Sequence, residues 1–345
     1  YIDGQNLSTP FSPARSRRRE IGNPPAETQT DMILELDALR APLTNPVLTI
    51  GNFDGVHRGH LALFEKVKAR AAAIGGQSAV MTFDPHPLRI MKPGNGPPLI
   101  TPTEQKLSLI EQAGIEVIFC IPFNKTFAAI SAEAFVKDIL VGRVGIREIV
   151  VGYDYSFGHN RRGNIHMLRE MGRDLGFFVH VVEPVRVQDT LVSSTMIRRL
   201  VLEGDLTTTR GLLGRNYQIS GTVVKGKNRG GRLLGFPTAN LRPVDALIPK
   251  QGVYAVTVLV DEGLHDGVTN IGYNPTFGDA ALSVETHLLD FSGDLLGKTI
   301  RVNFIQRLRD EKTFPNVEAL SAQIGLDIIE ARRLLEEARA TGESA

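Results

Sequence analysis

A doubly wound α/β domain followed by an antiparallel β-barrel with a closing helix is the fold class this sequence predicts. Two observations predict it. Between Val47 and Glu183 short β-branched runs alternate with helical patterns, whereas beyond Glu203 strand-like runs follow one another with only Gly, Pro and Asp turns between them. The 345 residues exceed one ordinary core and fit two.

Residues 1–31 are polar and Pro-rich, carry the cluster SRRRE and lack an apolar signal-peptide core, so a disordered tail is expected there; the chain starts on Tyr1, and Met32 opens the first amphipathic stretch. Residues 32–205 then form the α/β domain. Its strands are expected at "VLTIGNF", "SAVMTF", "EVIFCI", "EIVVG" and "FVHVVE". The helix after the first strand carries Leu61, Phe64, Val67, Ala71 and Ile74 at spacings of three and four and stops at Gly75 and Gly76. In "TPTEQKL", Thr101 is placed to cap, Pro102 to start and Glu104 to complete a capping box. The stretch "EGDLTTTRGLLG" reads as a short helical connector into the second domain, residues 206–345. There strands are expected at "YQISGTVV", "GVYAVTVLV", "HDGVTNIGY", "LSVETHLLDF" and "TIRVNFIQRL". The closing helix shows Leu320, Ile324, Ile328 and Leu335 on one face, which should pack on the barrel.

Composition excludes several functions. With 39 basic and 38 acidic residues the net charge is +1, which leaves no electrostatic footprint for nucleic acid or a membrane surface. No apolar run is long enough to span a bilayer. The lone cysteine, Cys120, permits no disulfide framework, so a reducing, cytoplasmic setting is expected. Nothing in the sequence bears on oligomeric state.

Chemistry concentrates at two places. In "GNFDGVHRGH", Gly51, Gly55 and Gly59 allow a tight turn and close approach of a ligand, and the helix that follows offers unpaired N–H groups to a phosphate. His57 and His60, three apart, share a face and suit donation of hydrogen bonds to a charged phosphoryl transition state. Taken alone, the pair also fits a capping turn or two metal ligands. The second place is "VVKGKNRGGRLLGFPTANL", where Gly226, Gly230, Gly231 and Gly235 alternate with Lys225, Lys227, Arg229 and Arg232 in a basic loop without the Walker order. A mobile hairpin loop is the plainer reading of it.

The decapeptide resembles the HxGH signature of the nucleotidyltransferase superfamily, with its Rossmann-like fold, in the form worn by the bacterial bifunctional riboflavin kinase/FMN adenylyltransferases, also called FAD synthetases. "TFDPHP", "VGYDYSFGHNRRGN", "VSSTMIRRL", "GFPTANL", "NIGYNPTFG", "VETHLLDF" and "LRDEKTFPNVEALSAQI" follow in the order that family shows, so the resemblance covers about residues 32–338. It implies ATP-dependent phosphorylation of riboflavin to FMN and adenylylation of FMN to FAD with release of pyrophosphate, with Mg²⁺ and ATP required. It implies, for the transferase, nucleotide contacts from Gly51, Asn52, Phe53, Asp54, Gly55, Gly59, Ser194, Thr195 and Arg198, flavin contacts from Asp84, Pro85, His86 and Asp154, and catalysis by His57 and His60. For the kinase it implies nucleotide contacts from Gly226, Lys227, Gly231 and Arg232, Mg²⁺ on Thr238 and Asn240, Arg309 on the flavin side and Glu285 as base. His287 and Asp290 stay open as alternatives to Glu285, and Asn274 stands where the family varies. One live site with the other a scaffold or sensor, a flavin-binding regulator, or an adenylyltransferase for a pantetheine or nicotinamide phosphate are the competing readings; the barrel argues against the last.

Overall fold

A computed structural model describes residues 30–33, 36, 39, 42–226, 236–273 and 282–342. In chain order the α/β part holds β1 (Asp31–Ile33), β2 (Val47–Ile50), α1 (Arg58–Ala73), β3 (Ser78–Asp84), α2 (Pro87–Met91), α3 (Thr103–Gln112), β4 (Val117–Pro122), α4 (Lys125–Ala128), α5 (Ala132–Ala134) and a π-wound turn at Phe135–Val144. It continues through β5 (Glu148–Gly152), a ladder of β6 (Ser156–Phe157) with β7 (Gly163–Asn164), α6 (Ile165–Leu175), β8 (Phe178–Val182) and a ladder of β9 (Arg186–Val187) with β10 (Thr190–Leu191).

Among the described residues the main sheet has six parallel strands in the order β1-β4-β3-β2-β5-β8. Its inner strands are buried on both faces, which is why they read as unbroken apolar runs. Phe64, Val67, Ile110 and Ile115 cover one face and Phe135, Leu140, Leu168 and Phe177 the other. From β2 the chain winds outward through β3 to β4, then resumes on the other side with β5 and β8, so the order reverses between β2 and β5. The histidine turn leaves β2 at that reversal, where open α/β sheets bind ligands.

α7 (Ser194–Glu203) and α8 (Leu206–Leu213) lead into β11 (Tyr217–Val224), β12 (Ala239–Pro243), β13 (Gly252–Val260), β14 (Gly263–Tyr273), β15 (Leu282–Leu288), β16 (Thr299–Arg309) and α9 (Val317–Ala340). The strands close a barrel in the order β11-β12-β15-β14-β13-β16, every pair antiparallel. β11 alternates buried and half-buried residues, as a strand with one face inside a barrel must. Ile197, Leu200 and Val201 of α7 and Leu212 and Leu213 of α8 share one apolar cluster with the barrel, so the two parts are packed together rather than merely tethered.

Four expectations need correction. Thr30 and Asp31, expected in the tail, belong to the α/β domain, because Asp31 pairs with Val117 and the Thr30 hydroxyl donates to Ile115 O. β12, carrying Asn240, was missed: it is five residues long and ends in proline. Thr101 does not cap α3, whose N-cap Pro102 makes no side-chain bond; its hydroxyl accepts from the Gly55 N–H at 3.0 Å instead. On α9 the barrel is met by Ala331, Leu334, Leu335 and Ala338, packed against Ala255 and Ile305. Leu320, Ile324 and Ile328 line a cavity rather than filling a core.

Candidate active sites

The first site is built on the turn between β2 and α1. Phe53 (φ +49), Gly55 (φ +91) and Val56 (φ +38) all take left-handed backbone, a conformation that Phe and Val adopt only where their surroundings enforce it. A Cβ on Gly59 would lie 3.2 Å from the His57 ring, so that glycine makes room for the imidazole. His57 is the N-cap of α1: its Nδ1 accepts from the His60 N–H at 3.3 Å. The neutral ring therefore carries its proton on Nε2, as a donor. The His57 and His60 rings stack at 3.5 Å and 18°, with Phe53 edge-on to His60 at 5.1 Å. Burial, with Arg215 and Arg198 nearby, lowers His57 to about 4. Burial, His57 and Arg215 hold His60 well below its ordinary range. Both rings are neutral at neutral pH, and His60 Nδ1 is buried without a partner among the described residues. No acidic side chain occupies the first turn of α1, so its positive end is left for an anion.

Beneath the turn Asp54 is buried, and its carboxylate accepts from the N–H groups of Ile100 and Thr101 at 3.0 Å and from the Arg198 guanidinium. Arg198 also donates to Pro98 O, and the Ser194 hydroxyl donates to Asp54 O at 2.9 Å. α7, with Ser193 as its N-cap and Thr195 exposed in its first turn, thus starts beside the start of α1. Gly51 and Asn52 lead sideways into an aromatic cavity of about 400 Å³, lined also by Phe83, Phe127, Asp154 and Tyr155. Asp84 accepts from the Thr103 hydroxyl at 2.6 Å, and the Asp84–Pro85 peptide is cis. His86 caps α2 by accepting from Leu88 N–H at 3.2 Å; burial takes it to about 4. Sequence reasoning missed two cations at this site. Lys106 is buried, lowered by that burial, and donates to Phe83 O; Arg215 donates to Gly55 O and Val56 O. Lys106 does carry a signal, a lysine in an otherwise apolar helix face.

The second site lies on the outside of the barrel, under α9. Strand register sets Asn240, Glu285, Asn270, Val253 and Arg309 in one row across β12, β15, β14, β13 and β16. Thr238 flanks that row, and His287, register partner of Val268, donates from Nδ1 to Pro237 O at 2.7 Å. A cavity of about 610 Å³ opens above, walled by Phe236, Phe314, Leu320, Ile324 and Ile328, with Thr238, Glu285 and Arg309 among its polar lining. Arg309 is held by Asp327 of α9 in a two-pronged pair, Nη2 to Oδ2 at 2.7 Å, with Phe314 5.8 Å beneath the guanidinium. A Cβ on Gly226 would fall 2.1 Å from Asn240 Nδ2, so the basic loop leaves the strand in contact with that amide. Asp290 is turned to Arg332 of α9 instead of the cavity. Lys227, Arg229, Gly230, Gly231, Arg232, Gly235 and Asn274 lie outside the described residues.

A family model described as FAD synthetase matches residues 40–196 and one described as riboflavin kinase matches residues 213–335. The bifunctional riboflavin kinase/FMN adenylyltransferase of Pseudomonas fluorescens is 38% identical over 310 residues, 88% of this chain and 97% of that protein. The protein of the same description from Escherichia coli K12 is 37% identical over 85% and 94% of the two chains. That of Listeria monocytogenes is 40% identical over 82% and 90%. A Streptococcus pneumoniae crystal structure described as a macrolide-efflux protein superposes with a TM-score of 0.80 at 29% identity, covering 88% of this chain and 98% of that one. Among the described residues no helix is long and apolar enough to cross a membrane. With two matched models in tandem and relatives aligned along nearly their whole length, the chain belongs to the bifunctional riboflavin kinase/FMN adenylyltransferase family.

Proposed function

We propose that the family's two activities are divided between the two ends of this chain, with riboflavin phosphorylated on the barrel, residues 206–345, and the resulting FMN adenylylated on the α/β domain, residues 32–205. The observation that carries the division is that each part has its own cavity beside its own polar centre, with no lining residue in common.

On the barrel, the aromatic and aliphatic walls of the larger cavity suit the tricyclic ring of riboflavin, and Arg309, held by Asp327, meets one end of it. Glu285 faces the same cavity and takes the proton of the ribityl 5′-hydroxyl as that oxygen bonds to the γ-phosphorus of ATP and the bond from that phosphorus to the bridging oxygen breaks, releasing ADP. The Thr238 hydroxyl and the Asn240 amide oxygen, with Glu285 as register partner of Asn240, form an oxygen set of low charge. That set fits Mg²⁺, which retains waters and shares phosphate oxygens. Thr238 and Asn240 would hold the ion, and its contribution when bound would be to neutralise phosphate charge.

On the α/β domain the aromatic cavity takes the flavin ring of FMN, which places its phosphate toward Asn52 and the start of α1. The FMN phosphate oxygen attacks the α-phosphorus of ATP, forming one P–O bond as the bond to pyrophosphate breaks. His57, neutral and with its proton on Nε2, donates to the phosphoryl oxygens as charge gathers there, and His60 stacks behind it. No enzyme-bound phosphoryl group is needed, because the flavin is the nucleophile in both steps. A cytoplasmic setting, where ATP is available, accords with a lone, buried cysteine.

The test is a time course of riboflavin, ATP and Mg²⁺ with the purified chain, resolved by chromatography. FMN should rise first and FAD follow. FMN alone would confine activity to the barrel, and neither product would overturn the reading.

A further inference from the structure

We infer that Arg215, which lies in the segment matched by the riboflavin kinase model, is a positioning residue of the adenylyltransferase site, so that the second domain completes the first catalytic centre. This rests on the reading of His57 and His60 as that centre. The guanidinium spans two successive carbonyls of the histidine turn, Nη2 to Gly55 O at 2.7 Å and Nη1 to Val56 O at 3.1 Å, across about half the chain.

The acceptors matter more than the bonds. Val56 is β-branched and left-handed (φ +38), a conformation that such residues hold only when their surroundings enforce it. Its carbonyl belongs to the peptide that leads into His57, so the orientation of that peptide sets where the His57 ring begins. The ring in turn has one geometry, fixed by the His60 N–H on Nδ1 and by the stack on His60. The α/β domain grips the turn through Asp54 on the Ile100 and Thr101 N–H groups and on Arg198, through the Thr101 hydroxyl on the Gly55 N–H and through the Ser194 hydroxyl on Asp54 O, and none of these bonds reaches the Gly55 or Val56 carbonyl. Arg215 grips the two carbonyls from the barrel side.

Arg215 is itself anchored. It sits between the end of α8, whose Gly214 (φ +80) packs on the Arg58 side chain, and the start of β11, where buried Tyr217 donates to Leu247 O. Leu247 N–H donates to Leu99 O at 2.8 Å, one residue before the Ile100 N–H that Asp54 holds. The barrel therefore reaches the turn by two connected routes, and Arg215 is the direct one. A planar fork with parallel donors matches two neighbouring carbonyls, whereas a lysine offers a point charge that reaches one.

Arg215→Ala and Arg215→Lys in the full chain test this, with FAD formation from supplied FMN and ATP, FMN formation from riboflavin, and thermal unfolding measured for each. The expected result for R215A is a kcat for FAD formation lowered about 100-fold, the loss that a misplaced catalytic group produces. KM for FMN and for ATP should stay within about twofold, because the ligand contacts are elsewhere. FMN formation should be unchanged, R215K should recover part of the loss, and added guanidinium ion below denaturing concentrations should restore part of R215A activity. Unchanged FAD formation in R215A would overturn the inference. So would a raised KM for ATP at constant kcat, which would make Arg215 a ligand contact, or an equal loss of both activities with lowered melting and no guanidinium rescue, which would make it a packing residue. His57→Ala is run beside them: if it too leaves FAD formation intact, the histidine site has been misread, and the fault is not with Arg215.

Discussion

At the scale of single residues, the chemistry of His57 follows from one hydrogen bond. Because Nδ1 accepts from the His60 N–H, a proton added to the ring must go onto Nδ1 and break the cap. Replacing His57 by alanine should depress FAD formation by ~10²–10³, the range found on deleting one preorganised donor, and spare FMN formation; separate assays of the two steps check this. The acid side follows with its sign. His57 is lowered by burial from 6.5 to about 4, so the unfolded chain binds the extra proton between those values and the native state does not. Stability is full above the unfolded pKa near 6.5, falls as pH drops through the window, and levels off below about 4. The loss for this ring is on the order of 3 kcal/mol. Melting curves from pH 7 to 4 should show a smaller decline for His57→Gln than for the parent chain, and an equal decline would refute the assignment. The histidines were legible because a Gly-rich turn between strand and helix isolates them. Arg215 was not, since a lone arginine between two predicted elements says nothing of carbonyls 159 and 160 residues away.

Among elements, strand register does for the barrel site what the helix start does for the other. Asn240, Glu285 and Asn270 come from three strands and no spacing in the sequence joins them; the pairing of β12 with β15 and of β15 with β14 does. Reading β12 as a motif rather than a strand names Thr238 and Asn240 by resemblance without showing that Asn240 pairs with Glu285. The same blindness applies to α9, whose apolar stripe is continuous in sequence yet divides in space, packing at Leu334 and Leu335 and lining the cavity at Leu320 and Ile324. A 3.6-residue period marks which residues leave water; it does not distinguish a core from a ligand. Register also makes Gly226 testable. A Cβ there would fall 2.1 Å from Asn240 Nδ2, far inside contact distance, so Gly226→Ala must displace the Asn240 amide or the loop. The expected outcome is a severalfold rise in the Mg²⁺ concentration that half-saturates FMN formation, with FAD formation from supplied FMN unaltered. A magnesium titration of both steps reads this directly, and an unchanged midpoint would remove Asn240 from the metal set.

Taken as a whole, the molecule packs two cavities on one scaffold with no lining residue in common. The α/β-then-barrel order was legible because helix-separated runs and turn-separated runs differ in texture; how the parts dock was not, because Gln105 on Gln218, Arg89 with Asp245 and Arg215 under the histidine turn are polar contacts with no periodicity. Those contacts hold a shared scaffold, but each cavity keeps its own lining, so catalysis should be separable by substitution. Glu285→Gln should lower FMN formation while FAD formation from supplied FMN persists, and His57→Ala should do the reverse. Neither variant alone would then carry riboflavin to FAD at the parent rate. Mixed in equal amounts, they should do so after a lag, because FMN made on the barrel of one chain must leave it and bind the α/β domain of another. The lag should shorten as both proteins are raised together and vanish when FMN is added at the start. Failure of the mixture to make FAD, with each variant still active in its own step, would mean that FMN passes only within a chain; the coupling would then lie in the path of the product as well as in the packing.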